Sequence, residues 1–276
     1  MQRSGIPYIL GFCIAICLVC AVVVSSSAVG LKERQEINKI LDRQKKVLTV
    51  AGLLGEGEAA SAEKIQSLFT KRIKPVIIDL KTGQENAEAT KNAASFDQQK
   101  AQKDPVLSTE APQNRAGVRR IPNQAMVYQV SKNDIGSDEA AFELTQYIFP
   151  IEGKGLWSTL YGFLAVAPDG NTVKGITFYE HGETPGLGGE VDNPSWKAKW
   201  PGRMMFGPAG SSADTWGAAK LTVKKGIAGS PAEDPYQVDG LSGATITANG
   251  VTHLVHFWMG QNGFGPYIRN VLSQAG

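Results

Sequence analysis

Cysteine is absent after residue 20: the chain's three cysteines are Cys13, Cys17 and Cys20. The rest of the chain therefore has no disulfide, no thiolate nucleophile and no cysteine-ligated zinc or iron–sulfur cluster. An excess of charge is also lacking, since 28 Lys and Arg against 26 Asp and Glu give a formal net charge of +2. No dense run of Lys and Arg appears, which argues against a nucleic-acid-binding surface.

Histidine is scarce, with only His181, His253 and His256. His181 and Glu183 could ligate a metal, but no third ligand lies nearby, so we predict no metal site. His253 and His256 fall in an apolar stretch, which favours burial in the core. The 276 residues, 42% hydrophobic and 20% charged, are typical of a globular protein with one or two domains.

An uncharged run from Ile6 to Val24, extended by small residues to Gly30, opens the chain. About 24 residues form a helix about 36 Å long, enough to cross a bilayer. A cleaved signal peptide is the alternative; a lipid-modified Cys20 fits poorly, because Leu18 and Val19 precede it. The cysteines share one helical face, either as packing residues or in a metal or redox role. Flanking charges leave the orientation open, because long domains translocate largely regardless of charge.

Residues 31–117 are predicted to form a stalk region and a polar linker. An amphipathic helix is expected over 31–50, a short helix over 61–73 and a strand over 75–83. Residues 84–117 carry few large apolar side chains, which favours a loop or linker rather than core. We therefore predict an anchor over 1–30, this region over 31–117 and a folded domain over 118–276.

The domain over 118–276 alternates strand-like runs with turns and ends in helices. Strands are predicted at 125–130, 144–151, 160–167, 172–180 and 220–226, with a hairpin turn at 168–171. Helices are predicted at 193–200, from Thr247 onward, and at 265–274. The strands run together with helices mainly at the ends. This order indicates an α+β fold with a mainly antiparallel sheet and flanking helices.

Two glycine-rich segments stand out as candidate sites. The first, HGETPGLGGEV at 181–191, follows a predicted strand and exposes backbone N–H groups to a planar or anionic ligand. It matches neither a phosphate-binding P-loop nor the dinucleotide-binding fingerprint, and an elaborate turn is the alternative. The second, DGLSGATITANG at 239–250, ends where a helix begins, which is a typical phosphate site.

Simpler explanations exist for the second segment. Ser242 and Thr245 could be helix N-caps. Ser242 also nearly fits the G-x-S-x-G hydrolase motif, but Ala244 replaces the last glycine and no α/β-hydrolase alternation surrounds it.

Three motifs carry a resemblance to a known family. D-G-L-S-G-A-T at 239–245 resembles the sequence at which the FMN-binding domain family attaches FMN to threonine through its phosphate. E-T-P-G-L-G at 183–188 matches a second hallmark, and G-K-G-L-W-S at 153–158 is similar to a third. With one N-terminal span and this length, they resemble the C subunits of Na⁺-translocating NADH:quinone oxidoreductases. The G subunits of Rnf electron-transport complexes are the alternative.

The resemblance implies a covalent FMN on Thr245, attached by a separate flavin transferase that uses FAD and Mg²⁺. Small residues around Thr245 would leave room for the transferase, and Asp239 would position the segment or its donor. In the loop, Thr184 would donate a hydrogen bond to the flavin and Leu187 would cover its ring. No catalytic residue is expected, because the flavin carries the electrons. The expected cofactor-binding residues are Asp239, Ser242, Gly243, Ala244, Thr245, Glu183, Thr184, Gly186, Leu187 and Gly188.

The same resemblance implies a single-pass protein of the bacterial inner membrane, with its flavin domain on the periplasmic side and other membrane subunits as partners. It would relay electrons in a sodium-pumping complex. The span contains no Asp, Glu, Lys or Arg, so we do not expect this chain to carry the ion. A cofactor-free, surface-anchored binding or hydrolytic domain is the alternative of a different class.

Overall fold

The computed structural model describes residues 5–136, 142–211 and 213–275. Residues 1–4 of the expected anchor lie outside this range. The helices are α1 Ile6–Val50, α2 Ala62–Arg72, α3 Ala87–Lys91, α4 Gln98–Lys103, α5 Pro194–Lys197, α6 Thr245–Met259 and α7 Gly265–Ala275. The strands are β1 Ile73–Asp79, β2 Gln84–Glu85, β3 Ser108–Glu110, β4 Arg120–Pro122, β5 Gln124–Ser131, β6 Leu144–Lys154, β7 Thr159–Val166, β8 Val173–Glu180, β9 Thr222–Val223 and β10 Gln237–Val238.

Helix α1 has 45 residues, a length of about 68 Å at 1.5 Å per residue. Among the described residues it is the one helix long and apolar enough to cross a membrane, judged by length and composition. Residues 31–50 continue this helix, so the expected boundary at residue 30 marks no break. The chain divides instead into two compact units, Met1–Arg43 and Gln44–Gly276.

A six-stranded antiparallel sheet forms the centre of the second unit, in the order β2-β1-β5-β6-β7-β8. Strands β9 and β10 form a short parallel pair, and β3 and β4 an antiparallel pair. The expected α+β class with a mainly antiparallel sheet is confirmed.

Helices α6 and α7 cover one face of the sheet. The ring of Phe149 on β6 lies 4.8 Å from that of Phe264, between centroids, and the indole N–H of Trp258 donates to the carbonyl of Glu152 at 2.7 Å. Glycine permits the close crossing of α6 and β6: a Cβ on Gly250 would lie only 2.4 Å from the carbonyl oxygen of Lys154. This close packing positions α6, including its first turn, relative to the sheet.

Residues 84–117 pack against the sheet rather than forming a linker. They include β2, α3, α4 and β3, and they bury Ala93 and Ala101. The Gln98 side chain accepts a hydrogen bond from the Met126 backbone N–H at 3.0 Å, which ties α4 to β5. Buried alanines and half-buried, hydrogen-bonded amide side chains make these contacts, and neither produces a pattern of large apolar residues in the sequence.

Candidate flavin site

A cleft of about 420 Å³ opens at the start of α6. This volume lies within the range of roughly 300–1,000 Å³ typical of small-molecule and cofactor sites. One wall is the end of β9 with the loop after it, and the other is the segment that leads into α6. The cleft is lined by Val223, Lys224, Lys225, Gly226, Ile227, Asp239, Gly240, Leu241, Ser242, Gly243, Thr245, Ala248 and Asn249.

Thr245 is the first residue of α6 and is exposed to solvent. Ala244 occupies the N-cap position, and its methyl side chain cannot accept a hydrogen bond from the first turn. The N–H groups of that turn therefore lie at the cleft with the positive end of the helix dipole. Gly243, with φ of +69°, makes the left-handed turn before the helix that a residue with a Cβ rarely adopts. Thr245 is thus not the N-cap that the simpler explanation required.

The hydroxyls near the helix start differ sharply in exposure. Thr247 is fully buried, and its hydroxyl donates to Oε2 of Glu183 at 2.6 Å. Ser242 is exposed but lies in the turn before the helix. Thr245 is therefore the threonine of this segment whose hydroxyl stands exposed at the helix N-terminus.

Glu183 is 5% exposed, and its carboxylate holds three segments together. Oε1 accepts from the backbone N–H groups of Trp157 at 2.9 Å and Ser158 at 3.2 Å. Oε2 accepts from the Leu156 N–H at 3.2 Å and from Thr247. Burial alone would raise the pKa of Glu183, but the hydrogen bonds from Thr247 and the backbone outweigh it and lower the pKa. The structure thus places this carboxylate among protein groups, whereas the resemblance implied a flavin contact.

The other predicted loop residues form a turn beside the cleft. Leu187 is 44% exposed, and its Cδ2 would lie 2.9 Å from a Cβ on Gly243, so the loop contacts the Thr245 segment. Thr184 is exposed, and its carbonyl accepts from the N–H groups of Leu187 and Gly189. Gly186 adopts a positive φ of 75°. The loop is therefore a closed turn whose apolar residue, Leu187, lies against the segment that carries Thr245.

Asp239 lines the cleft but is only 7% exposed. Its carboxylate accepts from the Lys199 ammonium and from the Ala228 N–H, the latter at 3.0 Å, while its carbonyl accepts from the indole of Trp196 at 2.8 Å. Burial would raise the pKa of Asp239, but the Lys199 hydrogen bond and the backbone N–H lower it. Asp239 thus fixes the loop at 226–229 against the segment that carries Thr245.

Two lysines of the cleft were missed by the sequence analysis. Lys225 is exposed, and Lys224 lies 3.6 Å from Asp234. Both follow β9, which the sequence predicted only as part of a strand over 220–226. The Lys-Lys-Gly sequence at its end was the available signal, since cations beside a helix N-terminus favour an anionic group.

The histidines do not form a metal site. Over 5–136, 142–211 and 213–275 there is no group of three His, Cys, Asp or Glu residues that could hold a metal. His181 Nε2 pairs with Asp192 at 2.8 Å, and its Nδ1 accepts from the Glu183 N–H at 3.2 Å. The Asp192 hydrogen bond raises the pKa of His181 despite burial. His253 and His256 are half-buried rather than in the core.

A protein-family match covers the part of the chain that contains the cleft. The FMN-binding domain family matches residues 155–260, which contain both walls of the cleft and the Glu183 loop. The C subunit of the Na⁺-translocating NADH-quinone reductase from Vibrio anguillarum is 45% identical over 98% of this chain and 96% of its own length. Its counterpart from Yersinia pestis is 44% identical over 94% of this chain and 90% of its own.

A solved structure also resembles the chain. The crystal structure of Shewanella oneidensis NqrC has a TM-score of 0.69 and 34% identity, and it aligns with 84% of this chain and 96% of its own. These matches extend over nearly the whole chain and confirm the resemblance to C subunits. The protein belongs to the family of C subunits of the Na⁺-translocating NADH-quinone reductase.

Proposed function

We propose that the chain carries FMN bound covalently, through its phosphate, to the hydroxyl of Thr245. The observation that carries the proposal is the contrast between the exposed Thr245 at the helix N-terminus and the buried, hydrogen-bonded Thr247. A phosphodiester keeps about one negative charge, which the first-turn N–H groups and the helix dipole stabilise. Lys224 and Lys225 add positive charge in the same cleft.

Apolar side chains in and beside the cleft support a flavin as the occupant. Ile227 in the cleft is 82% exposed, and Leu187, which lies against Gly243 beside the cleft, is 44% exposed, so both offer apolar surface to a planar ring. Thr184 is exposed in the same loop as Leu187, and its hydroxyl would donate a hydrogen bond to the flavin ring, as the family motif implies. Bound flavin would supply electron-transfer chemistry, while the chain binds and orients it.

Attachment requires an activated flavin and a second protein. The Thr245 oxygen would form a bond to the flavin-side phosphorus of FAD, the pyrophosphate bond would break, and AMP would leave. The hydroxyl proton would pass to a base of the flavin transferase, whose Mg²⁺ would bind the phosphates. The exposed positions of Ser242 and Gly243 beside Thr245 support access by such an enzyme.

The family supports a place for the chain in a membrane complex. As a member of this family it would relay electrons through FMN between other membrane subunits of a sodium-translocating NADH:quinone oxidoreductase. Helix α1 would anchor it in the bacterial inner membrane with the flavin domain on the periplasmic side. Because the apolar span is uncharged, sodium would cross through other subunits.

Fluorescence on a denaturing gel tests the covalent link. The full chain is expressed with the transferase, denatured, separated and viewed under ultraviolet light. We expect a fluorescent band for the wild type and for Ser242→Ala, and a weaker one for Thr245→Ser, which keeps a hydroxyl. Thr245→Val should fold and give no fluorescence. A dark wild-type band beside a fluorescent known substrate of the transferase would refute the proposal and favour a cofactor-free domain.

A further inference from the structure

Three segments of the sequence meet at the carboxylate of Glu183. The backbone of Leu156, Trp157 and Ser158 donates three hydrogen bonds to it. Glu183 itself begins the loop that ends at Gly188. The third partner is Thr247 in the first turns of α6, 64 residues further along the chain. One buried side chain therefore sets the mutual position of the Glu183–Gly188 loop, the first turn of α6 and the 156–158 turn.

The space around this carboxylate exists only because two neighbours are glycine. A Cβ on Gly155 would lie 2.6 Å from Oε1 of Glu183. A Cβ on Gly188 would lie 2.6 Å from Oε2 and 2.7 Å from the Thr247 hydroxyl oxygen. Neither glycine has a positive φ, so their small size, rather than their backbone freedom, is what the site uses. The enclosure holds the Glu183–Thr247 hydrogen bond in one geometry.

This hydrogen bond lies in the same helical turn as Thr245. Residues two apart on a helix point about 200° from each other, because each residue turns about 100°. Thr247 accordingly points into the protein and is fully buried, while Thr245 points outward and is exposed. Anchoring the Thr247 hydroxyl holds the first turn of α6, which also carries Thr245.

We propose that Glu183 and Thr247 are positioning residues for flavin attachment: their buried hydrogen bond sets the direction in which Thr245 points from the first turn of α6, beside the Glu183–Gly188 loop. The proposal rests on the proposed function, and neither residue needs to touch the flavin. The same contact places Leu187 against Gly243, so the wall that would cover the flavin ring is set together with its point of attachment.

Matched variants of the full chain separate positioning from general stability. Thr247→Val removes the donor and keeps the shape, whereas Thr247→Ser keeps the hydroxyl. Glu183→Gln keeps one acceptor oxygen but replaces the other with an N–H₂ group, which faces a hydrogen-bond donor and cannot accept from it. Glu180→Gln makes the same chemical change at an exposed residue of β8 and serves as the control. The readouts are the initial rate of FMN attachment by purified transferase with FAD and Mg²⁺, and the visible circular dichroism of the attached flavin.

We expect Thr247→Val and Glu183→Gln each to slow attachment roughly 10- to 100-fold, the cost of misplacing a reacting group by about 1 Å. Thr247→Ser and Glu180→Gln should stay near the wild-type rate. The double variant should be little slower than either single variant, because both remove one shared interaction. The flavin that does attach should show altered circular dichroism in the two slow variants.

Other outcomes overturn the proposal. Wild-type rates and spectra in folded Thr247→Val and Glu183→Gln would show that the contact does not position Thr245. Failure of both variants to fold would reduce the role to stability alone. If the wild type accepts no flavin, all variants are equally unlabelled, and the proposed function fails together with this inference.

Discussion

Replacing Gly188 by alanine should destabilise the folded unit through the buried carboxylate beneath the cleft. The added Cβ would lie 2.6 Å from Oε2 of Glu183 and 2.7 Å from the Thr247 hydroxyl oxygen, so Oε2 must move. Moving it breaks the hydrogen bonds from Thr247 and from the Leu156 N–H. At about 1.5 kcal/mol for each bond to a charged group, the loss is about 3 kcal/mol.

A thermal melt converts this loss into a measurable shift. Domains of roughly 150–250 residues lose about 2–4 °C per kcal/mol, so Gly188→Ala should melt about 6–12 °C below the wild type. All five tryptophans follow residue 150, so tryptophan fluorescence of the detergent-purified chain reports on the unit over 44–276 rather than on the anchor.

Gly217→Ala is the matched control for this melt. A Cβ on Gly217 would meet open space, and its backbone is not left-handed. Its melting temperature should therefore not fall and should rise by no more than about 4 °C, since a compatible Gly→Ala change stabilises by up to about 1 kcal/mol. If Gly188→Ala melts within about 2–3 °C of this control, the carboxylate is not enclosed as described and the reasoning fails.

Three further predictions concern other parts of the chain. His181 should titrate above the ordinary histidine pKa in NMR spectra, because Asp192 hydrogen-bonds to it. The stability that this pair adds is fully present below the pKa of His181 in the unfolded chain and is lost as the pH rises through its pKa in the folded chain. His181→Gln should therefore cost more stability at pH 6 than at pH 9. Equal costs at both values would contradict the pair. Gly250→Ala should prevent α6 from packing closely on β6, because the added Cβ would lie 2.4 Å from the Lys154 carbonyl oxygen. Limited proteolysis should then degrade the unit over 44–276. Resistance equal to that of the wild type would contradict the close crossing of α6 and β6. A reporter active only outside the cytoplasm, fused after Gly276, should be active, and a stable but inactive fusion would refute the periplasmic orientation.

Much of the central sheet could be predicted from the sequence. Strands β5 to β8 carry runs of β-branched and aromatic residues bounded by turn residues, so their positions differ from the predicted ones by only a few residues. The stretch over 84–117 was predicted wrongly as a linker. Its contacts with the sheet use alanines and amide side chains, and these carry no apolar periodicity.

Contiguous motifs of the candidate site could be predicted from the sequence, but contacts between residues far apart in the chain could not. Thr245 and Leu187 could be named as candidates from the sequence because each belongs to a short contiguous motif. The partners of Glu183 lie 25 to 64 residues away along the chain, so only the fold shows that this carboxylate is buried among them. The lysines at 224 and 225 were missed because a contact distant in sequence brings them to the cleft: the Gly240 N–H donates to the Gly226 carbonyl.

The most direct test of the account is the mass of the tryptic peptide that follows Lys225 and ends at Arg269, from chain expressed with the flavin transferase. The account predicts that it carries one added FMN less one water, and that fragmentation places this mass on Thr245 and leaves Ser242 and Thr247 unmodified. An unmodified peptide from fluorescent chain, or the added mass on another residue, would contradict the claim that Thr245 carries the flavin.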